Sequence, residues 1–274
     1  MTDQALVLSE TDGEVSIVTL NRPAKLNAIN PELRSELLQA LKLAEADQQT
    51  SVVLLRASGR SFCVGYDIAR NDPSREVWRH DTIKWNESLH QSLAFEMAPW
   101  DLKKPVIAAV QGHVLGGGCE LAMMCDLTIA ADDAVFGEPE IRFSNVGPAI
   151  VMPWIIGLKK ARELLYFGDT IDANAALEFG MINKVVPAAE LQSAALRYAK
   201  RLALISPEAL YSTKLAINRG AEISGFRTAM NAGVDLAAPL YAANTRMGAK
   251  FKEITQNEGL GAALKWRGDQ FKEE

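Results

Sequence analysis

The chain has 274 residues, 48% of them hydrophobic and 23% charged, enough apolar material for a large core and too much for a disordered polymer. Its 29 basic and 34 acidic residues leave a net charge of −5 without a basic block, which argues against nucleic acid or a membrane surface as the partner. Cys63, Cys119 and Cys125, an odd set with no N-terminal signal pattern, point to free thiols in a reducing, cytoplasmic compartment. The longest apolar run, from Val146 to Leu158, is broken by Pro148, Pro153 and Gly157 and is too short to span a bilayer.

In chain order, residues 15–20 (VSIVTL) read as a first buried strand. A helix follows, capped by Asn30 with Pro31 in its first turn, and Leu33, Leu37, Leu38, Leu41 and Ala44 repeat at helical spacing to face a sheet. Residues 52–57 (VVLLRA) form a second strand and 61–68 (SFCVGYDI) a loop. Asn71, Asp72, Pro73 and Ser74 read as a turn-rich loop, and 75–98 as a helix carrying Trp78, Trp85, Leu89 and Phe95. A strand at 106–110, a helix opening near Gly117 and a strand at 127–131 continue the alternation. Beyond 159 helices dominate: one to 167 stopped by Gly168, one from an Asp172 cap to Gly180, and, after a brief strand at 182–187, an almost wholly helical remainder. The expected division is an α/β core over 1–195 and a helical region over 196–274.

Chemistry concentrates around two glycine loops and two glutamates. Gly116, Gly117 and Gly118 open a helix, where unpaired N–H groups and the positive end of the dipole favour an anion. Gly65 lets the 61–68 backbone approach a ligand closely. The two loops either form a pair of donors for an oxyanion or are only tight turns. Glu120 sits in the apolar stretch CELAMMC, where a carboxylate is costly unless used, and Glu140 follows Pro139. Two carboxylates on one cavity could divide acid and base duties; the plainer alternatives are a helix-end charge at Glu120 and a solvated one at Glu140. Glu138 reads as a surface charge. Trp78, Trp85, Phe95 and Trp100 either pack as core or line an acyl pocket. His80, His90 and His113 lack the spacing of a metal site, and Cys119 reads as a small buried residue.

The stretch KPVIAAVQGHVLGGGCELAMMCDLTIAADDAVFGEPEI (104–141) resembles the core region of the crotonase, or enoyl-CoA hydratase/isomerase, superfamily. LNRPAKLNAIN (20–30), SFCVGYDI (61–68) and GDTIDANAALEFGMINKVVP (168–187) extend the resemblance over most of the chain. It implies an α/β, crotonase-like spiral of repeated ββα units in two roughly perpendicular sheets, with a helical C-terminal region that packs homotrimers or homohexamers. It implies an acyl-CoA thioester as substrate and no cofactor or metal beyond the coenzyme A of that substrate. The enolate oxygen would be held by the main-chain amides of Val64 and Gly117, and water would be added to a 2-enoyl-CoA by Glu120 and Glu140 as acid and base. Lys25, Leu26 and Ala28, with Gly65, Tyr66, Asp67, Ile68, Gly116, Pro139 and Gly147, match positions that hold the substrate, Lys25 reading equally as a surface lysine. The chain departs from the family after the second glutamate: relatives carry a glycine-rich PGAGGTQRL-like stretch where it has IRFSNVGPAIVMPWIIG (141–157). Isomerisation or hydrolysis of a CoA thioester, or a non-catalytic CoA-binding scaffold, are the alternatives to hydration.

Overall fold

The computed structural model describes residues 5–68 and 76–272, so the turn expected at 71–74 lies outside the described residues. Six strands form the larger sheet: β1 (Val7–Asp12), β2 (Val15–Leu20), β3 (Val52–Ala57), β4 (Val106–Val110), β6 (Leu127–Ala131) and β9 (Lys184–Val186), in that spatial order. All neighbours are parallel except β1 and β2. Parallel strands are covered on both faces, which is why these segments are almost continuously apolar rather than alternating. Val53, Leu55, Val106, Ala108 and Val110 enter the main core, whereas Val52, Leu54, Ile107, Ala109 and Ile129 face a smaller cluster on the opposite side. A second sheet joins β5 (His113–Leu115), β7 (Val135–Gly137) and β8 (Thr170–Asp172).

The helices around these sheets start and stop where local chemistry requires. In α1 (Pro31–Ala46) the Asn30 side chain accepts from Leu33 N–H at 2.9 Å, while Leu38 lies outside the buried stripe at 37% exposure. Asp81 caps α2 (Thr82–Glu96), which is followed by the short α3 (Ala98–Asp101) and by α4 (Gly117–Met123). The helix expected over 159–167 follows a break at Gly157 inside α5 (Met152–Phe167), a shorter helical piece precedes that break, and the helix ends at Gly168 in the left-handed conformation, as expected. Asp172 caps α6 (Ala173–Glu178).

The boundary expected after residue 195 falls inside α7 (Leu191–Leu202), whose Leu191, Ala195 and Ala199 cover the larger sheet. This helix therefore belongs to the sheet layer. Beyond it come α8 (Pro207–Ile223), α9 (Phe226–Ala242), α10 (Arg246–Glu258) and α11 (Leu260–Asp269). Phe226, Met230, Val234, Ala237 and Ala238 of α9 are part of the main core, so the C-terminal helices are not a separable appendage. Among the described residues no helix is long and apolar enough to cross a membrane.

One buried cation fastens α8 to the core. Lys214 is 6% exposed and donates to Pro99 O at 2.7 Å and Lys104 O at 3.1 Å while pairing with Asp126 at 2.7 Å. Asp126 in turn accepts from Val106 N–H, the first residue of β4. Lys214→Met keeps the packing stem but leaves two carbonyls and a largely buried carboxylate without their donor. A loss of about 3 kcal/mol is expected, read as a fall in thermal midpoint of roughly 6–12 °C.

Candidate active site

The loop 61–68 is fastened on two sides, by a bridge between Ile29 and Tyr66 and one between Cys63 and Val114 of β5. Ile29 N–H donates to Gly65 O at 2.8 Å and Asp67 N–H to Ile29 O at 2.9 Å. This zippering also consumes the Val64 amide, which donates to Leu26 O at 3.3 Å. Val64 therefore does not supply the free donor expected of it. Gly65 has φ +85°, and just beyond it the Tyr66 N–H has no acceptor among the described residues. A Cβ placed on Gly65 would stand 3.4 Å from Gly117 N, so this loop and the start of α4 meet. Gly117 is the first residue of α4, and its N–H is likewise without an acceptor among the described residues. Tyr66 and Gly117 thus each present an open amide where the loop meets the helix.

Gly116 makes that meeting possible. Its φ of 53° with ψ of −130° is a conformation that side chains disfavour, and a Cβ there would lie 2.0 Å from Glu140 Oε1. The Glu140 carboxyl, on the turn Pro139–Phe143, is therefore held against the backbone that opens α4. Glu120 projects from the same helix and is fully buried; its Oε1 accepts from Ala149 N–H at 2.9 Å. Gly147 passes so close that a Cβ would stand 2.2 Å from Glu120 Oε1. The two glutamates singled out from sequence thus lie near one another beside the backbone that opens α4.

Two further carboxyls complete the cluster. Glu138, expected at the surface, is 3% exposed, and both its oxygens lack a partner among the described residues. It follows directly on β7, whose Phe136 and Gly137 are buried, and this carries its side chain inward. Glu96, at the end of α2, belongs to none of the motifs legible in the sequence. It is fully buried, its Oε1 takes a 2.6 Å hydrogen bond from the Tyr66 hydroxyl and would stand 3.0 Å from a Cβ on Gly117, at the start of the helix that carries Glu120. The signal that could have found it is helical register, since position 96 falls on the stripe of Leu89 and Leu93 and a glutamate there is buried.

Burial pushes all these acids up. Glu140 rises to about 7, burial outweighing a backbone hydrogen bond. Glu96 rises to about 8, burial outweighing the hydrogen bond from Tyr66. Glu120 and Glu138 are held well above the usual carboxylate range, first by burial and then by the neighbouring acids. At ~4 Å and an effective dielectric of ~20, two like charges repel by about 4 kcal/mol, so the cluster retains protons at neutral pH. One acid that ionises near neutrality beside others that remain protonated is the condition for paired acid and base work.

The remaining expected residues surround this centre. Lys25 is exposed, Leu26 is left-handed at φ 51°, and Ala28 O accepts from Arg22, which also pairs with Asp67 at 2.7 Å. The Asp67 carboxylate is thus occupied in joining the 22–29 and 61–68 segments, and Ile68 is exposed. A mainly apolar cavity of about 260 Å³ adjoins Glu138 and Glu140 and is lined by Ile141, Val146, Gly147 and Ile150 among others. Its wall is shared by the 141–157 segment and by Leu158, Arg162, Leu165 and Tyr166 of α5, and Tyr241 of α9 fixes the first of these through a 2.8 Å bond to Val146 O.

Phe95 is buried in the main core and Trp85 and Trp100 pack against it, whereas Trp78 is half-buried outside it. Trp85 packs on Trp78 and Tyr241, and Trp100 stacks on Phe226 at 4.3 Å. Cys119 is buried and pushed well up by burial, as an inert thiol is. Among the described residues no group of His, Cys, Asp or Glu is placed to hold a metal.

The contact between Gly147 and Glu120 makes a direct test of this geometry. In Gly147→Ala the added methyl displaces the Glu120 carboxyl from its Ala149 amide. A kcat loss of roughly 10²-fold, with circular dichroism unchanged, is the expected outcome in a turnover assay.

Open amides beside buried acids define an anion-stabilising, acid–base site, and comparison with known proteins gives the family. The family model for enoyl-CoA hydratase/isomerase matches residues 10–257. An enoyl-CoA hydratase/isomerase from Xanthobacter autotrophicus Py2, known as a crystal structure, superposes with a TM-score of 0.92 at 36% identity, covering 98% of this chain and 99% of that one. The short-chain-enoyl-CoA hydratase of Clostridium acetobutylicum is 36% identical over 78% of this chain and 81% of its own length. The crotonyl-CoA hydratase of Syntrophomonas wolfei is 31% identical over 97% of both. The chain belongs to the enoyl-CoA hydratase/isomerase family, and its fold is the crotonase fold.

Proposed function

We propose that the protein is an enoyl-CoA hydratase that adds water across the 2,3 double bond of a 2-enoyl-CoA. The observation that carries this reading is the open amides of Tyr66 and Gly117, where the 61–68 loop meets the start of α4, beside the carboxyls of Glu120 and Glu140. The thioester oxygen sits on the two amides, which stabilise the negative charge that develops as the enolate forms; removing one such donor typically costs about 3 kcal/mol of barrier. Water attacks C3, an ionised carboxyl of the Glu120–Glu140 pair takes its proton, and a protonated one delivers a proton to C2. The coenzyme A belongs to the substrate, and these steps need no resident cofactor. The segments around Lys25 to Ala28 and Tyr66 to Ile68 border the path along which the rest of the thioester leaves the cleft. The apolar cavity beside Glu140 suits the acyl group.

The protein works in this reading as a homotrimer or homohexamer in the cytoplasm. Trp154, Tyr166 and Phe167 of α5 and Leu236 of α9 are large exposed apolar side chains that a second copy would cover. Incubation with a panel of acyl-CoA thioesters, followed by mass spectrometry, tests the reaction. Gain of one water by 2-enoyl-CoA is the expected product. Double-bond migration without mass change, release of free CoA, or binding without conversion would overturn it in favour of an isomerase, a hydrolase or a scaffold respectively.

A further inference from the structure

We propose that Glu96 is a positioning residue of this reaction: its carboxyl pairs with that of Glu120, the two hold one proton between them, and Glu120 meets the substrate as half of a dyad. This rests on the hydration reading, which gives Glu120 its task.

The geometry is closed on every side. Glu96 ends α2, is fully buried, and directs Oε1 toward the start of α4, where it would stand 3.0 Å from a Cβ on Gly117. That same oxygen accepts the Tyr66 hydroxyl at 2.6 Å. Glu120 lies one helical turn beyond Gly117 on the same helix, both acids are fully buried, and each influences the other's proton affinity, so a proton between the two carboxyls would join them. With both ionised, Glu96 Oε2 and Glu120 Oε2 have no donor among the described residues, an arrangement that a buried site does not sustain. One shared proton supplies the missing donor.

The surroundings decide where that proton rests. Glu96 is faced by Tyr66, Glu120, Glu140 and the Cys63 thiol, with the Arg34 charge a weaker influence; Glu120 is faced by Glu96, Glu138 and Glu140. Tyr66 donates to Glu96 and Ala149 N–H donates to Glu120 Oε1, which leaves Glu120 Oε2 as the atom that carries the proton toward Glu96. The dyad therefore keeps a proton over the range in which Glu140, with its lower value of about 7, has already lost its own. A site that needs one acid and one base together is given both by this third carboxyl. Tyr66 takes part twice, its main-chain N–H open beside Gly117 and its phenol fixing the dyad.

The test compares Glu96→Gln with Tyr66→Phe. Glutamine keeps the acceptor for Tyr66 but donates its amide to Glu120, favouring the ionised form. The alkaline limb of the kcat profile should then move down by about one pH unit, with kcat at neutral pH lower by roughly 10–100-fold and KM within about threefold. Phenylalanine removes the donor that stabilises the charged dyad, so the same limb should move up. Infrared spectra of the substrate-free protein at about pH 8 should show a protonated-carboxyl C=O band that weakens in Glu96→Gln. A folded Glu96→Gln protein with an unchanged pH profile and an unchanged band overturns the dyad while leaving hydration intact. If the wild-type protein hydrates no 2-enoyl-CoA, the functional reading fails, and the infrared comparison still decides the dyad. Should Glu96→Gln not fold, the direction of the Tyr66→Phe shift decides it: no upward movement overturns the proposal.

Discussion

Replacing Glu140 by glutamine is expected to lower kcat for 2-enoyl-CoA hydration by about 10³-fold while KM changes less than about threefold. The substitution preserves volume and a hydrogen-bonding end group, so the carboxyl pocket against Gly116 stays filled. What disappears is the acid with the lower of the two values, Glu140 at about 7 against Glu96 at about 8, beside Glu120 and Glu138, which burial and the neighbouring acids also hold well above the usual carboxylate range. Without it the cluster has no carboxylate ready at neutral pH. The wild-type rate should accordingly decline as pH falls through about 7, and that limb should be missing from the residual activity of the variant. Glu120→Gln should cost a similar factor through loss of the partner acid. Steady-state kinetics against pH check both, and full turnover in either variant would remove these glutamates from the chemistry.

The second large effect is on stability. Each acid of the cluster has a folded-state value above its unfolded one, chiefly through burial, so it binds its proton more tightly in the native protein. The sign follows: their contribution is fully present below the unfolded value of 4.5 and is lost as pH rises through about 7 for Glu140 and about 8 for Glu96. Every pH unit that separates the folded value from the unfolded one corresponds to about 1.4 kcal/mol, so one such fully buried acid is worth a few kcal/mol. Between about pH 6 and pH 9 the substrate-free protein should lose roughly 5–10 °C of thermal midpoint. Calorimetry across that interval checks this, and Glu96→Gln should flatten the decline. A midpoint that holds steady would mean that water or rearrangement solvates these acids. The buried thiols do not confuse the measurement, because Cys63 is itself pushed up to about 12.

Much of the frame was legible because the strands at 15–20, 52–57, 106–110 and 127–131 are buried on both faces and carry unbroken β-branched and small apolar runs. The Asn30 and Asp172 caps and the Gly168 stop were readable for a local reason: each acts through its own side chain or its own φ. β1 was not, since VLSETD is an edge strand open to solvent and has the polarity of a loop. β5, β7 and β8 have three residues each, too few for a period to show. Glu120, Glu140 and Gly117 stand in or beside a distinctive run, whereas Glu96 approaches them from a helix more than twenty positions upstream. Choosing Tyr66 over Val64 depended on which amide the 26–29 segment consumes, a matter of tertiary pairing that no local pattern encodes.

Tyr241 gives the C-terminal helices a contact with the candidate site that their distance in sequence hides. Its hydroxyl grips Val146, one residue before the glycine that bounds the Glu120 carboxyl. Chimeras that exchange α9 between relatives would therefore transplant a support of the reaction centre along with the packing. Recombination points placed at 203–206, between the sheet layer and the later helices, would keep that support with its own helix but separate it from the loop it braces. Coherent exchange has to move 145–157 and α9 together.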